Sequence, residues 1–261
     1  MAGFGAARFG QARFGKARVR MNMTVFDTNR ANLSGSDLNV LINTWLDAAA
    51  LEKHQTPRNY LGASGIGSEC LRKVQYDWQC DAVHPARTRT IFDRGHLFES
   101  LSRRDMMQAG FVFDPDERGL AFTAADGLFQ GHADGKIVDG PTIPGLVYPC
   151  LWEHKALSAA GYRKIEKDGV DKHYPHYAAQ VYLYQAYLDL TNPALFTVTN
   201  SDTCHRLHLT IPFDATLAQA ASDRAVLVIK ATQAGELLDR IAQNPTDWRC
   251  KMCSHKDRCW G

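Results

Sequence analysis

Apolar positions in this chain switch between a helical and a strand-like period, and the switches mark out its elements. Across residues 36–54, Leu38, Val40, Leu41, Trp45, Leu46 and Leu51 follow Ser36 or Asp37 at helical intervals, predicting a capped helix. A Gly/Ser-rich turn at 62–68 leads into a short helix over "SECLRKVQYDWQC", and a second helix is expected at about 90–110. Strand-like pieces follow near 111–114, 120–124, 129–138 and 150–157. A helix at about 175–190 comes next, then strands near 195–200 and 205–212. A long helix from Asp214 to about Gln243 leads into the C-terminal segment. Helices, a run of strands, then helix, strands and helix predict one mixed α/β (α+β) domain, not a doubly wound dinucleotide binder.

The strand "CLWEHKAL" breaks its own pattern, because Glu153, His154 and Lys155 sit inside an otherwise buried-looking run. Strand side chains alternate, so Glu153 and Lys155 share one face and His154 takes the other. Upstream lies Asp134 in "GHADGKIVD", separated from the strand by the turn-rich "DGPTIPGLVYP". Pro149 has no N–H for a ladder, so pairing starts at or after it. If Val138 faces Pro149, antiparallel counting places Asp134 opposite Glu153. Two carboxylates and a lysine then converge on one face, and a divalent cation between the acids would relieve their repulsion. Glu99 supplies a further acid on the helix "RGHLFESL", four residues after Gly95, with His96 one turn earlier. Each piece alone is ordinary: E-x-K on a strand suits an ion pair, and His96 suits a helix surface.

Charge and composition add limits. The chain has 261 residues and a formal net charge of +2, so its overall charge selects no class of partner. Five basic residues, Arg8, Arg13, Lys16, Arg18 and Arg20, fall within residues 1–24, where no acid occurs. That segment repeats every five residues, with Phe4, Phe9, Phe14 and Val19 accompanied by Gly5, Gly10 and Gly15. Glycine at that period opposes a stable helix, so residues 1–30 are expected to be a flexible basic tail and 31–261 a single domain. The tail has three readings: no function, a start assigned ahead of Met21 or Met23, or a phosphate-contacting arm. No membrane-length apolar run, secretory segment, G-x-G-x-x-G, Walker A or H-E-x-x-H motif occurs, so the cytoplasm is the expected compartment. Three of the seven cysteines, Cys250, Cys253 and Cys259, crowd the segment 248–261, which reads as metal chemistry more readily than as disulfides.

Taken in order, these motifs resemble the PD-(D/E)XK nuclease superfamily, and within it the RecB-like branch. That pattern is G-x3-H/E on a helix, an Asp on one strand, D/E-x-K on the next, and Q-x3-Y on the following helix. Here the matching residues are Gly95 to Glu99, Asp134, Glu153-His154-Lys155, and Gln180 to Tyr184. Ala133 stands where the family name has proline. The resemblance implies a restriction-endonuclease-like core, a central mixed sheet flanked by helices, and hydrolysis of phosphodiester bonds at DNA ends. Glu99, Asp134 and Glu153 would hold Mg²⁺ or Mn²⁺, with the backbone carbonyl of His154 as an extra oxygen ligand. Lys155 would position or deprotonate the attacking water and offset charge on the phosphate. Gln180 and Tyr184 would orient the site or the substrate, with His96 in an assisting position.

The cysteines sharpen the resemblance. Cys70 precedes the motifs and Cys250, Cys253 and Cys259 follow them, as in the iron–sulfur subset of RecB-like nucleases. That subset includes the CRISPR-associated adaptation exonucleases and the nuclease of the AddAB-type recombination machinery. It implies a 4Fe–4S cluster joining the N- and C-terminal segments, a bacterial, archaeal or phage-encoded chain, and a setting in recombination, repair or CRISPR spacer acquisition. Its partners would be DNA ends, single-stranded or frayed, and a separate helicase, recombinase or adaptation protein. Zn²⁺ is the rival cofactor, since a set of four thiolates also suits zinc and His255 lies among the cysteines. Cys80, Cys150 and Cys204 are read as ordinary thiols. The rival function is a non-catalytic DNA-end-binding or assembly module. A redox or zinc-binding regulator would leave the strand acids unexplained.

Overall fold

The computed structural model describes residues 37–52, 58–79 and 84–261. The basic repeat and Cys80 lie outside them. Helix α1 spans Asp37–Glu52. The chain divides into two units between Leu46 and Asp47, within this helix, and the second holds all the other elements.

That unit is built on two sheets. In chain order the strands are β1 (Leu61–Gly62), β2 (Val112–Phe113), β3 (Ala121–Ala124), β4 (Phe129–His132), β5 (Gly135–Asp139), β6 (Cys150–Leu157), β7 (Ala194–Asn200) and β8 (Arg206–Ile211). The larger sheet runs β2-β5-β6-β7-β8, with β6 and β7 parallel and the other neighbours antiparallel. The smaller runs β1-β4-β3. The helices are α2 (Leu71–Gln79), α3 (Ala86–Gln108), α4 (Ala159–Asp168), α5 (Val170–His173), α6 (Pro175–Tyr187), α7 (Ala215–Gln233) and the short α8 (Trp248–Lys251) and α9 (Lys256–Trp260). A central mixed sheet flanked by helices is the expected class.

Alternation along β6 divides the core. Leu151 joins Phe196, Val198, Val181, Leu183 and Val228 in the large core shared with α6 and α7. Cys150 and Trp152 point the other way and pack with Met106 of α3, Phe113, Ile137 and Leu195. The α7 stripe Ala218, Ala221, Ala225, Val228 and Ile229 recurs every three or four residues and is buried. Asp214 caps that helix, its Oδ1 accepting from the amides of Thr216 at 2.8 Å and Leu217 at 3.0 Å.

Three expectations are corrected. The strand expected over 129–138 is two strands in different sheets, broken at Ala133–Asp134. The Asp134 carboxylate occupies the amide of His154, and Ala133 bonds instead to the Leu120 carbonyl. Helix α7 ends at Gln233, not near Gln243, because Gly235 turns into the left-handed region at φ 71°. Helices α4 and α5 were not expected from the apolar pattern. Ser158 caps α4 through Gly161 N at 3.4 Å, and Tyr162 and Ile165 form its buried face.

Candidate active site

The β5–β6 register matches the count made from Pro149. Gly135 pairs with Trp152 and Ile137 with Cys150, which continues to Asp134 opposite Glu153. Asp134 sits just outside the ladder and accepts the His154 amide on Oδ2 at 2.8 Å. Its carboxylate is thereby held at the strand break, beside β6.

Glu153 is fully buried, and its Oε1 accepts from the Lys155 ammonium at 2.5 Å. Its Oε2 is also buried and has no hydrogen-bond partner among the described residues. An ion pair built for stability would satisfy both oxygens, since an orphaned buried acceptor costs about 1–3 kcal/mol. Burial, reinforced by the charge of Asp134, pushes the Glu153 carboxyl up to about 8 despite the opposing Lys155. Burial alone would lower Lys155, but Glu153 and Asp134 outweigh it and hold the ammonium well above its usual range.

Glu99 joins from α3. Burial and then the Asp134 charge raise its carboxyl, while His96 and Lys155 oppose the rise. His96 Nδ1 lies 3.6 Å from Glu99 Oε2 with its side chain 79% exposed, so this histidine lies on the helix surface. Glu99, Asp134, Glu153 and Lys155 therefore share one electrostatic environment drawn from α3, the β4–β5 break and β6.

Gln180 and Tyr184 pair on the buried face of α6. Both are buried, and the Gln180 amide donates to the Tyr184 hydroxyl at 3.0 Å. Burial, then the charge on Glu153, raises the Tyr184 phenol far above its usual value. Tyr177, which the motif reading missed, lies three residues before Gln180 and one helical turn away. The Lys155 ammonium sits 5.3 Å from its ring centre, and Tyr174 stacks on the same ring at 5.2 Å. The i, i+3 spacing to Gln180 was the available signal.

On the opposite face of β6, His154 is buried and its Nε2 lies 2.9 Å from Thr199 Oγ1. Burial, then Lys155, Arg206 and His208, push this imidazole down to about 3, so it is neutral.

The four cysteines singled out by spacing line one cavity of about 470 Å³. Cys70 enters it from the start of α2; Cys250, Cys253 and Cys259 enter from α8, α9 and the turn between them. Buried Gln75 ties the ends together, donating to Glu236 O at 2.6 Å and accepting from Leu238 N at 3.0 Å. Arg240 donates to the Cys259 carbonyl at 2.6 Å, and Arg249 reaches Glu69, the neighbour of Cys70, at 3.4 Å. His255 Nε2 lies 2.7 Å from Asp77 Oδ1. Cys150 lies apart, buried, with its thiol pushed up to about 11 by desolvation, and Cys204 is exposed.

The donor types fit the expected cofactors: hard carboxylates for Mg²⁺ or Mn²⁺, thiols for iron–sulfur or zinc. Among the described residues, no group of three or more His, Cys, Asp or Glu side chains is gathered tightly enough to hold a metal ion. The orphaned Glu153 Oε2 is the feature of this geometry that most directly suits a cation.

No family model matches this chain, and no curated protein matches it. Among solved structures it is similar to an alkaline exonuclease, LHK-Exo, from Laribacter hongkongensis, with a TM-score of 0.49 and 17% identity over 74% of this chain and 93% of that one. The same exonuclease in complex with dAMP gives 0.46 and 18% over the same shares. A protein described as SSO0001 gives 0.45 and 16% over 84% of this chain and 96% of that one. No helix among the described residues is long and apolar enough to cross a membrane.

Proposed function

We propose that this protein is a divalent-metal-dependent deoxyribonuclease of the PD-(D/E)XK, RecB-like type that hydrolyses DNA from its ends. The observation that carries this reading is Glu153: a fully buried carboxylate with one oxygen on Lys155 and the other without a hydrogen-bond partner among the described residues, under the charges of Asp134 and Glu99. A purely structural ion pair explains the first oxygen and leaves the second, and the adjacent acids, without a reason.

Glu153, Asp134 and Glu99 are the residues that would hold Mg²⁺ or Mn²⁺, with the His154 carbonyl as a further oxygen. The bound ion would polarise the scissile phosphate and acidify an attacking water. Lys155, held protonated by its carboxylate neighbours, orients that water and offsets charge gathering on the phosphate oxygens. Gln180 and Tyr184, bonded to each other, would orient the site or the substrate, and Tyr177 steadies the Lys155 ammonium through its ring face.

Cys70, Cys250, Cys253 and Cys259 are assigned a structural 4Fe–4S cluster, supported by their meeting in one cavity from opposite ends of the domain. Zn²⁺ is the second reading, favoured by one observation: the Asp77 carboxylate on His255 Nε2 is the pairing a ligating histidine commonly carries on its second nitrogen.

Linear and covalently closed circular DNA, incubated with Mg²⁺, Mn²⁺ or EDTA, test the activity. The proposal expects metal-dependent loss of linear DNA and survival of the closed circle. Equal cutting of both would make it an endonuclease. Retention of linear DNA without cleavage would make it an end-binding module.

A further inference from the structure

Strand β7 is buried along its whole length, yet carries Thr197 and Thr199 on the face turned toward α3. Valine has nearly the same shape, so packing alone does not call for these hydroxyls. Thr197 Oγ1 accepts from Trp152 Nε1 at 2.9 Å and lies 3.1 Å from His208 Nδ1, a bond within the sheet. Thr199 does something different. Its Oγ1 lies 2.9 Å from His154 Nε2 and 3.3 Å from the buried hydroxyl of Ser102 on α3.

Both partners stand next to the candidate site. Ser102 is one helical turn after Glu99 on the same helix. His154 separates Glu153 from Lys155, and its amide holds the Asp134 carboxylate at 2.8 Å. One hydroxyl thus bonds to the helix carrying Glu99 and to the residue whose backbone orients Asp134 and whose neighbour is Glu153. We infer that Thr199 is a positioning residue for the metal-binding carboxylates, its hydroxyl fixing α3 against β6 so that Glu99, Asp134 and Glu153 face one point. This inference rests on the proposed function and names a determinant of that same site.

The test is calorimetric titration of Mn²⁺ into full-length protein freed of loosely bound divalent ions by dialysis without chelator, with melting temperature recorded alongside. Thr199→Val is expected to weaken Mn²⁺ binding about tenfold, the scale of lost outer-shell hydrogen bonds. Thr199→Ser, which keeps the hydroxyl, is expected to restore near-wild-type affinity, and Ser102→Ala to shift affinity in the same direction as Thr199→Val. Added to Glu99→Gln, Thr199→Val is expected to cost less than it does alone, since part of its effect runs through Glu99. Unchanged Mn²⁺ affinity in Thr199→Val and Ser102→Ala, whatever their melting temperatures, would overturn the inference. So would a Thr199→Ser variant as weak as Thr199→Val. If Thr199→Val fails to fold, Ser102→Ala decides alone. Wild-type protein that takes up no Mn²⁺ would instead remove the proposed function, and this inference with it.

Discussion

The backbone amide of His154 donates to Oδ2 of Asp134 at 2.8 Å, across the point where one expected strand breaks into two. The bond takes the place of a ladder hydrogen bond and sets a carboxylate beside Glu153, where an uninterrupted strand would have continued the sheet. The break and the candidate site therefore have a common cause. From it, and from the buried groups around it, the following outcomes are expected.

Glu153→Gln keeps the shape and one acceptor but removes the charge. DNA hydrolysis is expected to fall about a thousandfold, as for loss of one preorganised charge-stabilising group. Lys155→Met is expected to fall similarly while retaining Mn²⁺ binding. Single-turnover rates and calorimetry on both variants check this. Full activity in either would remove that residue from the chemistry.

The pH dependence follows from Glu153, raised to about 8 in the fold against about 4.3 when unfolded. A group raised on folding contributes stability below its unfolded value and loses it as pH climbs through its folded value. Neutral His154 works in the opposite sense, but only below about pH 6.5. Between pH 6.5 and 8.5 the metal-free protein is therefore expected to melt at progressively lower temperature. Mn²⁺ affinity is expected to rise about tenfold per pH unit up to about 8, because the ion displaces one proton. Thermal melts and titrations across that window read both.

Tyr184→Phe deletes the hydroxyl that accepts from Gln180. Turnover is expected to drop about tenfold with substrate binding unchanged, the size of an outer-shell loss. Gln180→Leu should act in the same direction. Steady-state kinetics separate this from a substrate-contact role, which would raise KM instead.

Gly131→Ala tests the packing that supports Tyr184. An added Cβ would stand 2.4 Å from the Phe122 ring and 2.6 Å from the Tyr184 ring. Overpacking of this kind costs about 1–3 kcal/mol, a loss of several degrees in Tm for a domain of this size. Differential scanning calorimetry reads it directly.

If the four cysteines hold the proposed metal, Cys70→Ser is expected to lower the metal content of the purified protein and its Tm, because Cys70 alone of the four lies before the motifs. Cys204→Ser, at an exposed position, is expected to change neither. Metal analysis distinguishes iron from zinc, and absorbance near the visible edge of the ultraviolet reports a cluster.

How legible was this in the sequence? The pairing of Asp134 with Glu153 was readable because Pro149 limits where the ladder can begin, and the register agrees. The strand break was not, because it depends on a side chain taking an amide from another strand. The end of α7 was readable at Gly235, but Leu237, Leu238 and Ile241 extend the apolar period past it and masked the stop. Helix α4 carried a cap and a short apolar stripe, diluted by Gly161 and Gly169. Gln180 and Tyr184 were legible as a spacing, whereas their burial and the bond between them are tertiary facts. The Thr199 link was invisible, since a threonine in a β-branched strand looks like any other.

The most direct measurement is degradation of end-labelled single- and double-stranded DNA by wild-type protein and by the Glu153→Ala/Lys155→Ala variant, with Mg²⁺ or Mn²⁺ and with EDTA. Metal-dependent loss of DNA by the wild type alone, with the variant still folded by its melting curve, is the predicted result. Intact DNA in every wild-type reaction, from protein folded by its melting curve, would contradict the account.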